Sequence, residues 1–264
     1  MRLEGKVAAV IGAGQTPGHS IGNGRATAIL MAREGAQVML VDNRPESARE
    51  TQKMIEAEGG RAFCFEADIT QEADCRALAA ACVEEYGQID LLHNNVGIGG
   101  GDAGPTHLEE ANWDRIFEVN LKGCFLTCKH VLPVMREQGS GSIVNISSVA
   151  AVCSVGIVAY KTSKAGMNAF THSLAMGNAR HGIRVNAIMP GLMDTPMAIE
   201  GISSARGIDP ETLSRARDAQ VPLGQKMGTA WDVAYASVFL HSDEAKFVTG
   251  VILPVDGGQS ARIG

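Results

Sequence analysis

The sequence predicts a doubly wound α/β fold, a parallel sheet of about seven strands with helices on both faces. Three observations predict it. Short apolar runs alternate with longer helical stretches from end to end. The runs are hydrophobic throughout rather than alternating, as strands covered on both faces must be. The 264 residues, 45% hydrophobic and 20% charged, show no repeat, linker or compositional break, so 1–264 reads as one domain.

The expected strands are 7–12, 37–42, 62–67, 90–94, 142–147, 183–188 and 251–254, and the expected helices 22–34, 45–58, 71–86, 109–137, 158–178 and 229–241. Strand 7–12 (Val-Ala-Ala-Val-Ile-Gly) closes on glycine, and helix 22–34 opens on Gly-Asn-Gly. Strand 37–42 (Gln-Val-Met-Leu-Val-Asp) ends on a carboxylate, and Pro45 opens the next helix. Strands 62–67 and 90–94 are separated by the helical stretch 71–86. Capping boxes, Thr106-x-x-Glu109 and Thr229-x-x-Asp232, mark the starts of 109–137 and 229–241. Strand 142–147 precedes the helix 158–178, and strands 183–188 and 251–254 complete the sheet. The stretch 191–228, with three prolines and five glycines, stands outside the alternation and is expected to be a mobile substrate lid over the sheet's edge.

Composition narrows the partners. A net charge of −6 without a basic stripe argues against nucleic acid. The longest apolar run, 149–160, is too short to span a bilayer, and the start of the chain does not read as a signal peptide. Six cysteines with no Cys-x-x-Cys, and histidines without ligand spacing, point to reduced core thiols, a cytoplasmic protein and no metal.

Gly12-Ala13-Gly14 ends the first strand and Gly22-Asn23-Gly24-Arg25 opens the first helix. Glycine suits that place because a phosphate must approach bare N–H groups at a helix N-terminus, the arrangement of a Rossmann-type dinucleotide fold. Asp42 ends the second strand 18 residues after Gly24. A carboxylate there accepts the ribose hydroxyls of NAD and repels the 2′-phosphate of NADP, so the expected cofactor is NAD; Arg44 is the one feature that softens the preference.

Tyr160 and Lys164 stand at i and i+4, on one helical face. A tyrosine at its usual pKa is a poor general base at neutral pH, and an adjacent ammonium favours its phenolate. Ser148 lies twelve residues earlier at the carboxyl end of a strand, where parallel sheets place their chemistry. Asn120 is an amide on a mostly apolar helix and needs a partner or a water.

Taken together these residues resemble the short-chain dehydrogenase/reductase family, in its single-domain branch, over nearly the whole chain. The matching positions are the glycine loop, Asp68-Ile69, Asn94-Asn95-Val96-Gly97, Asn120, Ser148, Tyr160, Lys164, Asn186 to Pro190-Gly191 with Thr195, and Thr249-Gly250 to Asp256-Gly257-Gly258. The resemblance implies Tyr160 as general acid/base and Ser148 orienting the reacting oxygen. It implies that Lys164 lowers the Tyr160 pKa and holds the nicotinamide ribose, and that Asn120 holds a relay water behind Lys164. Cofactor contacts are implied for Gly12, Gly14, Ser20, Ile21, Gly22, Asn23, Asp42, Asp68, Ile69, Asn94, Asn95, Gly97, Pro190, Gly191 and Thr195. It further implies a homodimer or homotetramer built through the helices at about 109–137 and 158–178.

The chain departs from the family pattern in its glycine loop. Gly12 and Gly22 are ten apart, six more residues than usual, inserted around Gln15 to Ser20. Ser20-Ile21-Gly22 resembles the longer loop of enoyl-thioester reductases, but the Tyr–Lys spacing and Ser148 argue against that chemistry. The expected function is therefore NAD(H)-dependent interconversion of a secondary alcohol and a ketone. The alternatives are enoyl-thioester reduction on the same fold and a non-catalytic NAD(H)-sensing protein. Pocket candidates are Ile98, Val149, Val152, Cys153, Val155, Met193, Met197 and Ile199, mostly apolar, which suggests a small neutral, hydrophobic alcohol or ketone.

Overall fold

The computed structural model describes residues 1–153 and 156–262. In chain order the strands are β1 (Val7–Ile11), β2 (Gln37–Asp42), β3 (Ala62–Glu66), β4 (Leu91–Asn94), β5 (Gly141–Ile146), β6 (Ile183–Pro190), β7 (Met193–Asp194), β8 (Gly228–Thr229) and β9 (Ile252–Val255). The helices are α1 (Asn23–Arg33), α2 (Pro45–Ala57), α3 (Glu72–Tyr86), α4 (Glu110–Phe117), α5 (Gly123–Gln138), α6 (Ala159–Asn178), α7 (Ile202–Arg206), α8 (Pro210–Asp218) and α9 (Ala230–His241).

Seven strands form one parallel sheet in the order β3-β2-β1-β4-β5-β6-β9, while β7 and β8 make a separate two-residue pair. Alternate residues of β1 serve opposite faces. Val7, Ala9 and Ile11 pack with Leu78, Val131 and Met135 of α3 and α5. Ala8 and Val10 pack with Leu30 of α1, Ile55 of α2 and Val238 of α9. The chain winds outward from β1 to β3 and then returns to lay β4 beside β1. That reversal opens a crevice beyond the carboxyl ends of β1 and β4, where doubly wound folds bind their ligands.

The expected elements are present, with shifted ends and two corrections. Strand 7–12 stops at Ile11 because Gly12 turns to φ +79°. The helix expected over 109–137 is interrupted: α4 ends at Phe117, a π turn runs over Glu118–Lys122, and α5 follows. The Thr229–Asp232 capping box forms, with Thr229 N donating to Asp232 at 2.7 Å. The Thr106 box does not form, because a turn on the Gly104 carbonyl takes up His107 and Leu108 before α4 starts after Glu109. The segment 191–228 has elements of its own. It carries β7, a π turn over Met197–Gly201, α7 and α8, held by a small cluster of Ile199, Val221 and Met227 with Leu192.

Candidate active site

The crevice is shaped by glycines. A Cβ on Gly24 would collide with the Gly12 carbonyl oxygen, so α1 meets the end of β1 only because position 24 has none. A Cβ on Gly14 would lie 2.8 Å from the Ser47 side chain and 2.9 Å from the Asp42 carboxylate. Gly22, the N-cap of α1, brings no side-chain acceptor to the helix's first N–H groups, which leaves them for an anion. Asn95 braces the turn by donating to the Gly12 carbonyl at 3.0 Å. Asp42 has a side chain only 8% exposed. One of its oxygens accepts from Gly14 N at 2.9 Å and the other from Arg44 N at 3.0 Å, so each keeps a lone pair for a further donor. Bare helix N–H groups, a cradle without Cβ atoms and a nearby carboxylate fit a dinucleotide.

The six extra residues form a stapled loop. Gln15 donates through Nε2 to the Ser20 carbonyl at 3.3 Å and accepts from Gly22 N at 2.9 Å, closing the loop on itself. The Ser47 hydroxyl accepts from Gln15 N and donates to Gln15 O, fixing the loop to α2. At its tip His19 N donates to Glu200 of the 191–228 segment at 2.8 Å. The Ser20 hydroxyl is buried without a partner among the described residues, an unmet donor beside the start of α1.

The other expected cofactor residues occupy varied surroundings. Asp68 is exposed and caps Thr70, Ile69 is buried against Gly123, and Thr195 is buried beyond the end of β6, where Pro190 and Gly191 lie. Asn94 turns away. Its amide donates to Asn145 at 2.9 Å and to the Cys128 sulfur, and it accepts from Thr127 at 2.8 Å. With all these partners in the core, its side chain is spent on structure rather than on a cofactor.

Ser148 follows β5, and α6 brings Tyr160 to it. The Tyr160 phenol lies within the influence of Ser148, whose oxygen accepts from Ala150 N at 3.1 Å. Lys164, one turn beyond Tyr160, is 1% exposed and donates to the Ile146 carbonyl at 2.7 Å. Its Nζ lies 5.8 Å from the centre of the Tyr160 ring. Burial lowers the Lys164 pKa to about 8. Burial likewise pushes the Tyr160 phenol upward, while Ser148 pulls it down. Burial sets the direction of the Tyr160 shift, while the Lys164 ammonium is held at the Ile146 carbonyl.

Asn120 sits in the π turn, fully buried. Its oxygen accepts from Ile98 N at 2.7 Å, and its amide donates to Ile98 O at 2.9 Å and to the Ser163 hydroxyl at 3.1 Å. Both amide hydrogens are therefore used within the protein, and the oxygen keeps one lone pair through which a water could be held. A π turn at this point is the kind of distortion that helices keep at functional sites.

The pocket expectations divide. Val152 and Met197 are open to solvent and Cys153 is half-buried. Met193 and Ile199 are buried in hydrophobic clusters, and Val155 lies outside the described residues. Sequence reasoning missed Asp102, Lys161 and Glu200. Lys161 donates to the carbonyls of Ala150 and Cys153 and so ties down the loop after Ser148.

Known proteins of similar sequence share this arrangement of elements. The family model described as "Enoyl-(Acyl carrier protein) reductase" matches residues 17–260. Levodione reductase of Leifsonia aquatica is 37% identical over 92% of this chain and 92% of its own, and a levodione reductase crystal structure superposes with a TM-score of 0.93. This chain belongs to the short-chain dehydrogenase/reductase family. Within that family, the 3-oxoacyl-[acyl-carrier-protein] reductase FabG of Thermotoga maritima is 39% identical over 98% of this chain and 99% of its own. The crystal structure of an NAD+-bound xylitol dehydrogenase gives a TM-score of 0.89 at 31% identity, covering 98% of this chain and 100% of that one. As a short-chain dehydrogenase/reductase the chain is an oxidoreductase that uses a nicotinamide cofactor. Among the described residues no helix is long and apolar enough to cross a membrane.

Proposed function

We propose that this short-chain dehydrogenase/reductase is NAD-dependent and interconverts a neutral, rather hydrophobic secondary alcohol with its ketone. The observation that carries the reading is Tyr160 set beside Ser148 beyond the carboxyl end of β5, with Lys164 buried one turn below. When bound, the nicotinamide accepts or returns the hydride. Everything else falls to side chains of this chain. Ser148 and Tyr160 bind the substrate oxygen together, and in the oxidation Tyr160 takes the hydroxyl proton as the hydride leaves the carbinol carbon. Lys164 stabilises the phenolate and holds the nicotinamide ribose, and Gly97, whose Cβ would stand 3.0 Å from Nζ, gives that ammonium room.

The choice of NAD is supported by Asp42, whose remaining lone pairs suit ribose hydroxyls and whose charge opposes a 2′-phosphate. The NAD+-bound xylitol dehydrogenase among its relatives points the same way. The contacts of Gly12, Gly14, Ser20, Ile21, Gly22 and Asn23 with pyrophosphate, of Asp68, Ile69 and Asn95 with the adenosine half, and of Pro190, Gly191 and Thr195 with the nicotinamide are part of this proposal. So is the role of 191–228 as the substrate lid. Among the relatives, cis-4-hydroxycyclohexanecarboxylate dehydrogenase supports an alcohol borne on a ring, although its named substrate also carries a carboxylate.

We also assign a homodimer or homotetramer, supported by an apolar groove of about 650 Å³ between Phe117, Leu121, Phe125 and Phe170. Six unpaired cysteines support a reducing, cytoplasmic setting.

The test is NADH formation from NAD with a panel of secondary alcohols, repeated with NADP. The expected outcome is turnover of cyclic alcohols with at least tenfold preference for NAD. Reduction of a crotonyl thioester without ketone turnover would establish the enoyl reductase instead. Tight NADH binding with no turnover at all would leave a sensing protein.

A further inference from the structure

The first turn of α6 carries Tyr160, yet its N-cap, Val158, brings no side-chain acceptor for the turn's orphan N–H groups. The acceptor comes from a loop far earlier in the chain. Asp102 accepts through Oδ1 from Val158 N at 3.2 Å and Ala159 N at 3.1 Å, and through Oδ2 from Tyr160 N at 2.7 Å. Its Oδ1 also accepts from Ala103 N at 2.8 Å, and its own N donates to the Gly99 carbonyl at 3.3 Å.

The residues leading to Asp102 meet the site one after another. Gly97 lies against Lys164, Ile98 pairs through both backbone groups with Asn120, and Gly99 rests 3.4 Å from the Tyr160 ring when its missing Cβ is considered. The Gly100 carbonyl accepts from Arg115 of α4 at 2.6 Å, and Gly101 is closed in by the Asn112 side chain. Six consecutive residues thus touch Lys164, Asn120, Tyr160, α4 and the start of α6.

We infer that Asp102 is a positioning residue: its carboxylate fastens the first turn of α6 to the loop 97–102 and so sets Tyr160 in register with Ser148, Lys164 and Asn120. The negative charge also complements the positive end of a 20-residue helix. An ordinary cap would add stability alone. This one joins two segments that both contact the catalytic side chains, and a displacement of about 1 Å there costs on the order of a hundredfold in rate. The inference rests on Tyr160 being the acid/base.

The test compares the full chain with Asp102→Ala and Asp102→Asn, the second keeping one acceptor oxygen. Three quantities are read: kcat and KM with NAD and the fastest alcohol of the panel, NADH affinity by fluorescence, and amide exchange at 158–160. Expected for Asp102→Ala is a fall in kcat of at least tenfold, with KM and NADH affinity within twofold and faster exchange at 158–160. Asp102→Asn should lie between it and the wild type. A lowered unfolding temperature with kcat within twofold of wild type would make Asp102 a plain cap and overturn the inference. If Asp102→Ala does not fold, Asp102→Asn decides, through a kcat loss of at least threefold or its absence. If the wild type turns over no alcohol, it is the acid/base reading that fails. Amide exchange then still judges the anchor, and unchanged exchange at 158–160 overturns it.

Discussion

Among the fully buried side chains Lys164 heads the list by volume, and it keeps an ammonium in the core beneath Tyr160. With its pKa lowered from 10.5 to about 8, holding that charge at pH 7 costs about 3 kcal/mol of folding free energy. The sign follows from linkage. Below pH 8 both folded and unfolded chains are protonated and the cost is full; it fades as pH rises from 8 toward 10.5. Lys164→Met should therefore raise stability at pH 7, by on the order of 2 kcal/mol after loss of the Ile146 hydrogen bond, while abolishing turnover. Denaturant unfolding at pH 7 and pH 10 checks this, and a variant less stable than wild type at pH 7 would contradict it. The Tyr160–Lys164 pair was legible from its i,i+4 spacing, but the inward turn of Asn94 was not. Nothing in Asn94-Asn95 says which amide faces the core and which faces Gly12, because that depends on the exact residue where β4 stops.

At the scale of elements, the two features most particular to this chain meet. The inserted loop at Gln15–Ser20 reaches the 191–228 segment through His19 N and Glu200, and Gly18 leaves no space for a Cβ against Glu200 and Pro196. If the loop borders the pyrophosphate and 191–228 covers the site, this contact bars the way out for the cofactor. Glu200→Ala should then speed NADH dissociation several-fold in stopped-flow fluorescence, and Glu200→Gln, which keeps an acceptor, should do so less. An unchanged rate in Glu200→Ala would disconnect the loop from the lid. The loop's length was plain in the sequence; its docking partner, some 180 residues away, was not. Strands and helices were legible because each follows its own period. The π turn at Glu118–Lys122 was not, since one extra residue per turn leaves the apolar pattern of the surrounding helix almost unchanged. The Asp102 cap was hidden for a related reason: capping signals are read next to a helix, and this one comes from another loop.

For the whole molecule, the sheet carries a cost in acid. His93 on β4 and His241 at the end of α9 are buried edge to face, ring centres 5.9 Å apart, and both ring nitrogens of His93 lack partners among the described residues. Burial lowers the His93 pKa to about 3, and that of His241 falls well below its usual value through burial, then His93 and Arg184. Unfolded histidine binds its proton near pH 6.5, so folding is undisturbed above that point and weakens as pH falls through it. At pH 5 His93 alone removes about 2 kcal/mol. Unfolding free energy should drop between pH 7 and pH 5, and His93→Leu should make that drop smaller. An equal drop in the variant would place the acid sensitivity elsewhere. The fold itself was the most legible property of the chain, because seven apolar runs separated by helices leave few ways to cover a parallel sheet.

The central claim is that Tyr160 moves the proton while NAD exchanges the hydride, and one variant tests it most directly. Tyr160→Phe keeps the ring against Gly99 and removes the hydroxyl that Ser148 influences. The account predicts a fall in kcat of about 10²–10⁴-fold with NADH affinity within a few-fold of wild type. Turnover by Tyr160→Phe at the wild-type rate would contradict it.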